Sequence, residues 1–349
     1  MPFGSEKCLL SVIVPAYNVA EMLARCLDGL VSDADEDCEI IVVDDASDDK
    51  TGTVATRPNV KVLRLKENVG PGPARNYGAR HSSGEILLFV DADVVIAPGT
   101  LKKAVQSLLA DSSLAAVFGS YDAQPGEPDT VSQYRNLLHH FVHQTAATEA
   151  SHFWAGLGAI RREAFFDVGG YDEQRFARAI EDVELGYRLR EKGYTISLNK
   201  ELQCKHLKKW SVGSIFRTDV TLRAIPWVRL MLEYSAIPGD FSLGRSQRLS
   251  LVAVWFALCS LVLSVVQPQL LIGSALSLVI FLFLNWSFFA FLLRSRGIAF
   301  LARCVPLHFL YYVNSGIGLL LGVASYSWER LGINAGIRFR GTRKGKPKL

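Results

Sequence analysis

Two runs toward the C-terminal end restrict the possible folds more than any other feature of the chain. Leu249 to Val266 and Leu270 to Leu293, 18 and 24 residues separated only by Gln267-Pro268-Gln269, contain no Asp, Glu, Lys or Arg. Runs of that length match a hydrocarbon core of about 30 Å. A soluble helical hairpin would need a polar outer face, which neither run offers. A third run of 22 residues, Cys304 to Ser325, also lacks these charges but holds Pro306, His308, Asn314 and three glycines. It either spans or lies buried against the first two, and its length favours spanning. The 349-residue chain is divided in charge as well. Residues 1–202 carry 20 Lys+Arg and 30 Asp+Glu, and residues 203–349 carry 18 and 4, so the net +4 hides a front half at −10 and a back half at +14. The acidic front half argues against nucleic acid as a partner. The basic, apolar back half suits an anionic membrane surface.

Basic flanks orient the spans. Arg245 and Arg248 precede the first, and Arg294, Arg296 and Arg303 follow the second, while the turn between them is uncharged. The positive-inside rule then places the front half and the 294–303 loop in the cytoplasm, with the chain integral to an inner or plasma membrane. If the third run spans, the tail with Arg338, Arg340, Arg343, Lys344, Lys346 and Lys348 lies outside, against the rule. A re-entrant third run removes that conflict, and both arrangements stay open. No basic region, apolar stretch and cleavage site precede Leu9–Val14, so no signal peptide is expected. The six cysteines form no C-x-x-C pair and read as reduced and structural.

The front half reads as alternating strands and helices. Leu9 to Val14 runs into Pro15-Ala16-Tyr17-Asn18, and residues 19–31 have helical character. Glu39 to Val43 is followed by Asp44-Asp45-Ala46-Ser47-Asp48-Asp49. The loop Asn68-Val69-Gly70-Pro71-Gly72-Pro73 opens a helix through Ala74-Arg75-Asn76 to about Ser82. Ile86 to Val90 is an apolar run with the signature of a buried parallel strand, and it ends in Asp91-Ala92-Asp93. The order predicts a mostly parallel, Rossmann-like sheet with crossover helices. Ligands bind beyond the carboxyl ends of such strands. Alternate residues of an extended segment face the same way, so both carboxylates can meet one divalent cation that neutralises a diphosphate. By itself D-x-D is equally a strand-to-loop turn with solvated Asp side chains.

Taken in order, Val14-Pro15-Ala16-Tyr17-Asn18, Val43-Asp44-Asp45-Ala46-Ser47-Asp48-Asp49, Asn68-Val69-Gly70 with Ala74-Arg75-Asn76, Val90-Asp91-Ala92-Asp93, Trp154-Ala155-Gly156-Leu157-Gly158-Ala159-Ile160-Arg161-Arg162, Gly169-Gly170-Tyr171-Asp172-Glu173 and Ile180-Glu181-Asp182-Val183-Glu184-Leu185 resemble the family 2 glycosyltransferases of the GT-A fold. The resemblance covers roughly residues 9–210. It implies a nucleotide-sugar donor, a divalent metal (Mn²⁺ or Mg²⁺) and inversion at the sugar carbon, in a hexosyltransferase of cell-envelope glycan biosynthesis. The expected organisation is a GT-A domain over 1–210 and amphipathic membrane-interface helices over 211–245. A transmembrane region over 246–325 and a basic tail over 326–349 follow. In the 211–245 stretch, Arg217, Arg223 and Arg229 recur among apolar residues around Trp227, as in helices lying in the headgroup layer. Pro226 and Pro238 are expected to break it into pieces, and plain packing onto the membrane helices is the other reading.

Site roles follow from the resemblance. Asp182 is the base that takes the proton of a hydroxyl acceptor, and it is also placed to cap a helix. Asp44 and Asp45 hold the nucleoside, in a donor site shared with Pro15, Tyr17, Asn18 and Gly156. Asp48 and Asp49 instead cap the next helix. Arg75 and the metal stabilise the leaving diphosphate. Asp93 is the metal ligand, and Asp91 contacts the ribose, the metal or its water shell. His206 is an extra metal ligand or a structural histidine. Lys208 and Lys209 meet phosphates or form a solvated face. Processive relatives carry Gln-x-x-Arg-Trp, whereas here Lys209 precedes Trp210 and Gln203 lies too far upstream. That departure implies transfer of a single sugar rather than chain extrusion, and the acceptor expected is lipid-linked (a polyprenyl phosphate or a glycolipid) or a membrane-adjacent glycan. The alternative is a non-catalytic nucleotide-sugar-binding or scaffold protein. The joint presence of Asp45, Asp91, Asp93 and Asp182 argues against such degeneration.

Overall fold

A computed structural model describes residues 8–234 and 244–331. The strands are β1 Leu10–Ala16, β2 Cys38–Asp44, β3 Val60–Arg64, β4 Ile86–Val90, β5 Val94–Ile96, β6 Leu114–Tyr121, β7 Glu149–Ala150, β8 Leu157–Arg161 and β9 Thr195–His206. Around them lie helices α1 Ala20–Asp33, α2 Thr51–Ala55, α3 Pro71–Arg80, α4 Thr100–Ala110, α5 Thr130–Thr145, α6 Arg162–Asp167 and α7 Glu181–Glu191. Then come α8 Val212–Arg217, a π-helix over Thr218–Ala224, α9 Ile225–Tyr234, α10 Arg245–Leu263, α11 Leu270–Leu284, α12 Trp286–Arg296 and α13 Ile298–Arg330.

The sheet runs β3-β2-β1-β4-β8-β6-β9-β5, with β7 paired to β9. The first four strands in that order are parallel, and Ala16 lies opposite Asp44, so their carboxyl ends share one edge. Beyond β4 the direction changes. β8 runs antiparallel to both β4 and β6, β5 and β7 run antiparallel to β9, and only β6–β9 is parallel again. The expected mostly parallel sheet is therefore a mixed one. An apolar run tells that a strand is covered on both faces; it carries no information about strand direction. The alternation of β4 shows the double covering. Leu88 and Val90 join the core packed by Leu23, Leu27 and Leu30 of α1. Leu87 and Phe89 join the opposite core with Phe153, Phe165 and Leu185.

The back half is a helical bundle fused to the front through α5. Tyr134 and Leu137 of α5 share a core with Val254, Phe281, Phe288, Leu292 and Phe300. α10 and α13, 19 and 33 residues, are each long and apolar enough to cross a membrane, and α11 with α12 qualifies as a third, bent crossing. Outward residues such as Val265, Val266 and Phe283 are 87%, 81% and 78% exposed, an apolar surface of the kind lipid covers. The run expected as one span over 270–293 is broken: α11 and α12 meet at a 64° bend. Asn285 stands at the break and gathers a polar cluster. It donates to the Phe281 carbonyl and Ser250 Oγ, and it accepts from Tyr312 Oη and faces His308 Nε2 at 2.9 Å. In an apolar bundle the amide must satisfy all its bonding groups, and here that is met by partners on three helices.

Between the two halves, α8, the π-helix and α9 follow one another without a gap. Pro226 does not divide them as expected. It is the second residue of α9, where its missing N–H is tolerated next to a widened π turn. Pro238, Ser5 and the basic residues beyond 331 fall outside the described residues. α13 lies flush against this segment. A Cβ added at Gly318 would meet Ala224 Cβ at 2.3 Å, and one at Gly322 would meet Val228 Cβ at 2.7 Å. This is small-residue packing at a four-residue spacing. Gly318→Leu is expected to force the segment off α13 and lower stability by about 1–3 kcal/mol. Thermal unfolding in detergent reads the loss, and an unchanged midpoint would contradict so close a contact.

Candidate active site

The carboxyl ends of β1, β2 and β4 bring the three acidic and polar loops to one edge of the sheet, and backbone donors fix them. Asp44 is fully buried, accepts from Ser47 N and lies 3.6 Å from Arg64 Nε, with Oδ2 lacking a hydrogen bond. Asp45 accepts from Val69 N at 2.8 Å and Gly70 N at 2.9 Å, so it pins the loop that opens α3. Burial raises its pKa above the ordinary range against those two donors. Asn18 adopts φ +51° and ties β1 to the β2 loop, donating from its N–H to Ser47 Oγ and accepting from Asp48 N. Pro15 sits within β1 and Tyr17 is 44% exposed at the rim. Of the two residues expected to cap a helix, Asp49 accepts from Thr51 N at the start of α2 and from Ala20 N at the start of α1. Asp48 instead spends its own N–H on Asn18.

Arg75 is the residue expected to stabilise the leaving diphosphate. It is 3% exposed, and its two terminal nitrogens are taken by Asp91 Oδ1 at 2.6 Å and Glu181 Oε1 at 2.7 Å. The guanidinium thus joins the end of β4 to the start of α7. Two carboxylates on one buried cation leave an acidic excess. Glu181 is pushed up to about 7, first by burial and then, against Arg75, by Asp182. Asp91 is raised too, by burial, with Asp93 adding and Arg75 opposing. Ile180, just before Glu181, has φ +50°, a costly conformation for a β-branched residue, and it sets the direction in which α7 starts.

Asp93 and His206 face each other, Oδ2 to Nε2 at 3.5 Å. The other ring nitrogen of His206 lies 2.8 Å from Asn136 Oδ1. An amide oxygen only accepts, so Nδ1 carries a proton, and Nε2 is the nitrogen turned toward Asp93. Tyr121 stacks on the imidazole at 4.3 Å. Burial would raise Asp93, but the hydrogen bond and charge of His206 outweigh it and its pKa falls. Among the described residues no group of three or more His, Cys, Asp or Glu converges to hold a metal. One carboxylate and one imidazole nonetheless suit an ion that takes its remaining ligands from phosphates and water.

Asp182 accepts from Ala155 N at 3.2 Å and from Val183 N at 2.8 Å, and its carboxylate opens on a cavity of about 290 Å³. Trp154, His206, Arg223, Trp227 and Tyr311 are among the residues that line it. Gly156, expected at the donor, accepts from Asp91 N through its carbonyl, and its missing side chain makes room for the Trp154 ring, 2.3 Å from where a Cβ would be. Lys208 lies over the Trp210 ring and is otherwise exposed. Sequence reasoning missed Tyr121, Arg135, Asn136 and His139. A visible signal was His139 and His143 at an i, i+4 spacing, which puts both on one helix face; both line the cavity.

Residues 11–169 match the family described as Glycosyl transferase family 2. An uncharacterized glycosyltransferase of Haemophilus influenzae is 29% identical over 237 residues, 63% of this chain and 76% of that protein. A validoxylamine A glucosyltransferase of Streptomyces hygroscopicus subsp. jinggangensis is 29% identical over 230 residues, 55% of this chain and 54% of that protein, so the chain spans only about half of this relative. Among solved structures, a mannosyltransferase from Pyrobaculum calidifontis in complex with GDP-Man and Mn²⁺ superposes with a TM-score of 0.56 at 19% identity, covering 93% of this chain and 89% of that one. At that identity the likeness shows the fold, a GT-A-like mixed α/β sheet followed by helices.

Proposed function

We propose that the chain acts as a member of the family that its residues 11–169 match, glycosyl transferase family 2, and that it moves one sugar, with inversion, from a nucleotide-sugar donor to a hydroxyl of a membrane-borne acceptor. The observation that carries this reading is the position of Asp182. Its carboxylate faces a cavity that is also lined by residues of the π-helix, α9 and α13, the segments that adjoin the apolar bundle. An acceptor reaching Asp182 therefore comes from the membrane side, while the donor crevice opens beyond β1, β2 and β4.

In this mechanism the acceptor oxygen bonds to the anomeric carbon, the bond from that carbon to the diphosphate breaks with its electrons on the nucleoside diphosphate, and Asp182 takes the hydroxyl proton. Asp45 fixes the 68–70 loop and Asn18 the β1–β2 rim, so the nucleoside meets a preset crevice. Arg75 holds Asp91 and Glu181, and through them the start of α7, at a fixed separation. Asp93 and His206 would hold a Mn²⁺ or Mg²⁺ ion, with Asp91 beside them. Bound there, the ion supplies positive charge against the leaving diphosphate.

Nucleoside diphosphate release from a panel of nucleotide sugars, measured in nanodiscs with and without total membrane lipid, tests the reading. We expect release from one donor, dependent on Mn²⁺ or Mg²⁺ and stimulated by the lipid. No metal-dependent release from any donor would leave only a nucleotide-sugar-binding protein. For topology, we propose that the catalytic domain and the 294–303 loop share the cytoplasmic side. In support, Arg296 donates to Gln133 Oε1 and the Ala123 carbonyl, and Arg303 to Thr130 Oγ1. A cysteine at Gly297 should resist an impermeant thiol reagent in intact cells and react after lysis; labelling before lysis would reverse the orientation.

A further inference from the structure

A second cavity, of about 180 Å³, lies between α9, α10 and α13, and three residues of its wall, Arg223, Trp227 and Tyr311, are also wall residues of the cavity at Asp182. The two chambers are thus adjacent, with one shared partition. Their chemistry differs. The second presents mainly the apolar side chains of Val228, Met231, Leu251 and Leu319, on helices of the bundle and its interface segment, with Asp219, Gln247 and Arg248 also in its wall. It is smaller than the roughly 300–1,000 Å³ of small-molecule sites, enough for part of one hydrocarbon chain and not for two. The first is lined by polar and aromatic groups, including Trp154, Trp210 and His139. Two of its buried polar atoms, Trp210 Nε1 and His139 Nδ1, lack a hydrogen bond.

Charge identifies what sits at the partition. Arg135 is matched by buried Asp219 at 2.6 Å. Arg223, four residues on along the same π-helix, is exposed and makes no hydrogen bond or ion pair among the described residues. The partition therefore carries one unmatched cation between an apolar chamber and a polar one.

Resting on the transferase reading above, we infer that the acceptor is a single-chain lipid bearing a phosphate-linked sugar: the hydrocarbon chain enters the second cavity, the phosphate meets Arg223, and the sugar fills the first cavity with a hydroxyl at Asp182. A bare lipid phosphate fits worse. With its oxygens at Arg223 it would leave the 290 Å³ chamber empty, and moved forward it would bring its charge against the Asp182 carboxylate. The transfer joins the sugar's hydroxyl oxygen to the donor's anomeric carbon, expels nucleoside diphosphate and passes the proton to Asp182.

The test uses the full chain in phosphatidylcholine nanodiscs, with farnesyl phosphate and farnesol as binding probes. Arg223→Gln should weaken farnesyl phosphate by about tenfold or more, the loss of one charge-assisted contact, and leave farnesol unchanged. Ser315→Phe fills the second cavity from α13, and Met231→Trp fills it from α9. Each should abolish binding of both probes while donor binding and the unfolding midpoint stay at wild-type values. In transfer assays, a farnesyl-phosphate-linked sugar from a small panel should be glycosylated and farnesyl phosphate itself should not. Glycosylation of farnesyl phosphate itself, displacement of farnesyl phosphate by inorganic phosphate at equal concentration, or full probe binding by both cavity-filled variants would overturn the inference. Donor hydrolysis by the wild type is followed separately. If it fails while Ser315→Phe still abolishes farnesyl phosphate binding, the lipid site stands and the transferase reading falls.

Discussion

Asp182→Asn is expected to abolish transfer, by about 10²–10⁴-fold, the range for removal of a general base, while donor binding changes by no more than a few-fold. The carboxylate now accepts from two N–H groups, Ala155 and Val183. An amide has one accepting atom, so one of those donors will face an NH₂ group. That costs about 1 kcal/mol, the worth of one hydrogen bond, too little to unfold a chain whose α7 is also anchored by the Arg75–Glu181 pair. Single-turnover transfer and donor titration on the same preparation separate the two effects. A loss near 10⁴-fold fits a hydroxyl acceptor, the case inferred from the linked cavities. A small loss points to an acceptor already ionised at neutral pH. If donor binding and transfer fail together, Asp182 belongs to the donor site or the scaffold, and the base lies elsewhere.

Asp93→Asn should leave the fold intact and cost roughly two or more orders of magnitude in turnover, since a metal supplies several kcal/mol of charge stabilisation and each 1.4 kcal/mol is about tenfold. The exchange keeps the side chain's size and its approach to His206, but removes the charge that would attract a cation. Titration of Mn²⁺ followed by electron paramagnetic resonance gives a readout independent of turnover: the variant should leave more Mn²⁺ free than wild type does. Transfer that continues undiminished with added Mn²⁺ or Mg²⁺ would remove Asp93 from the metal site.

Parts of this site were legible before any tertiary contact was known. Asp91 and Asp93 end a strand whose five residues are all buried, and Glu181-Asp182 opens a helix as its pattern indicated. His206 was nominated with two open readings, and the structure sets it opposite Asp93. What could not be read was partnership. Arg75 carries no mark in the sequence that it pairs with residues 16 and 106 positions away. Asn136 is one amide among many until its oxygen is found 2.8 Å from His206. Arg223 looked like one of three headgroup arginines, yet Arg229 is paired with Glu329 and Arg223 stands at the partition of two cavities.

The sequence by itself determined what depends on neighbours along the chain: the strand-and-helix alternation of residues 10–90, the acidic strand ends, and the apolar runs long enough for a membrane. These follow from local burial periods, which every segment carries in its own residues. The tertiary structure alone decided the reversal of strand direction after β4, the bend at Asn285, and the meeting of residues 154, 182, 206, 223 and 311 around one cavity. Those outcomes depend on which distant surfaces pack together and which buried polar groups find partners, as Asn285 does with Ser250, His308 and Tyr312. A period of two or 3.6 residues says which face is buried, and nothing about what buries it.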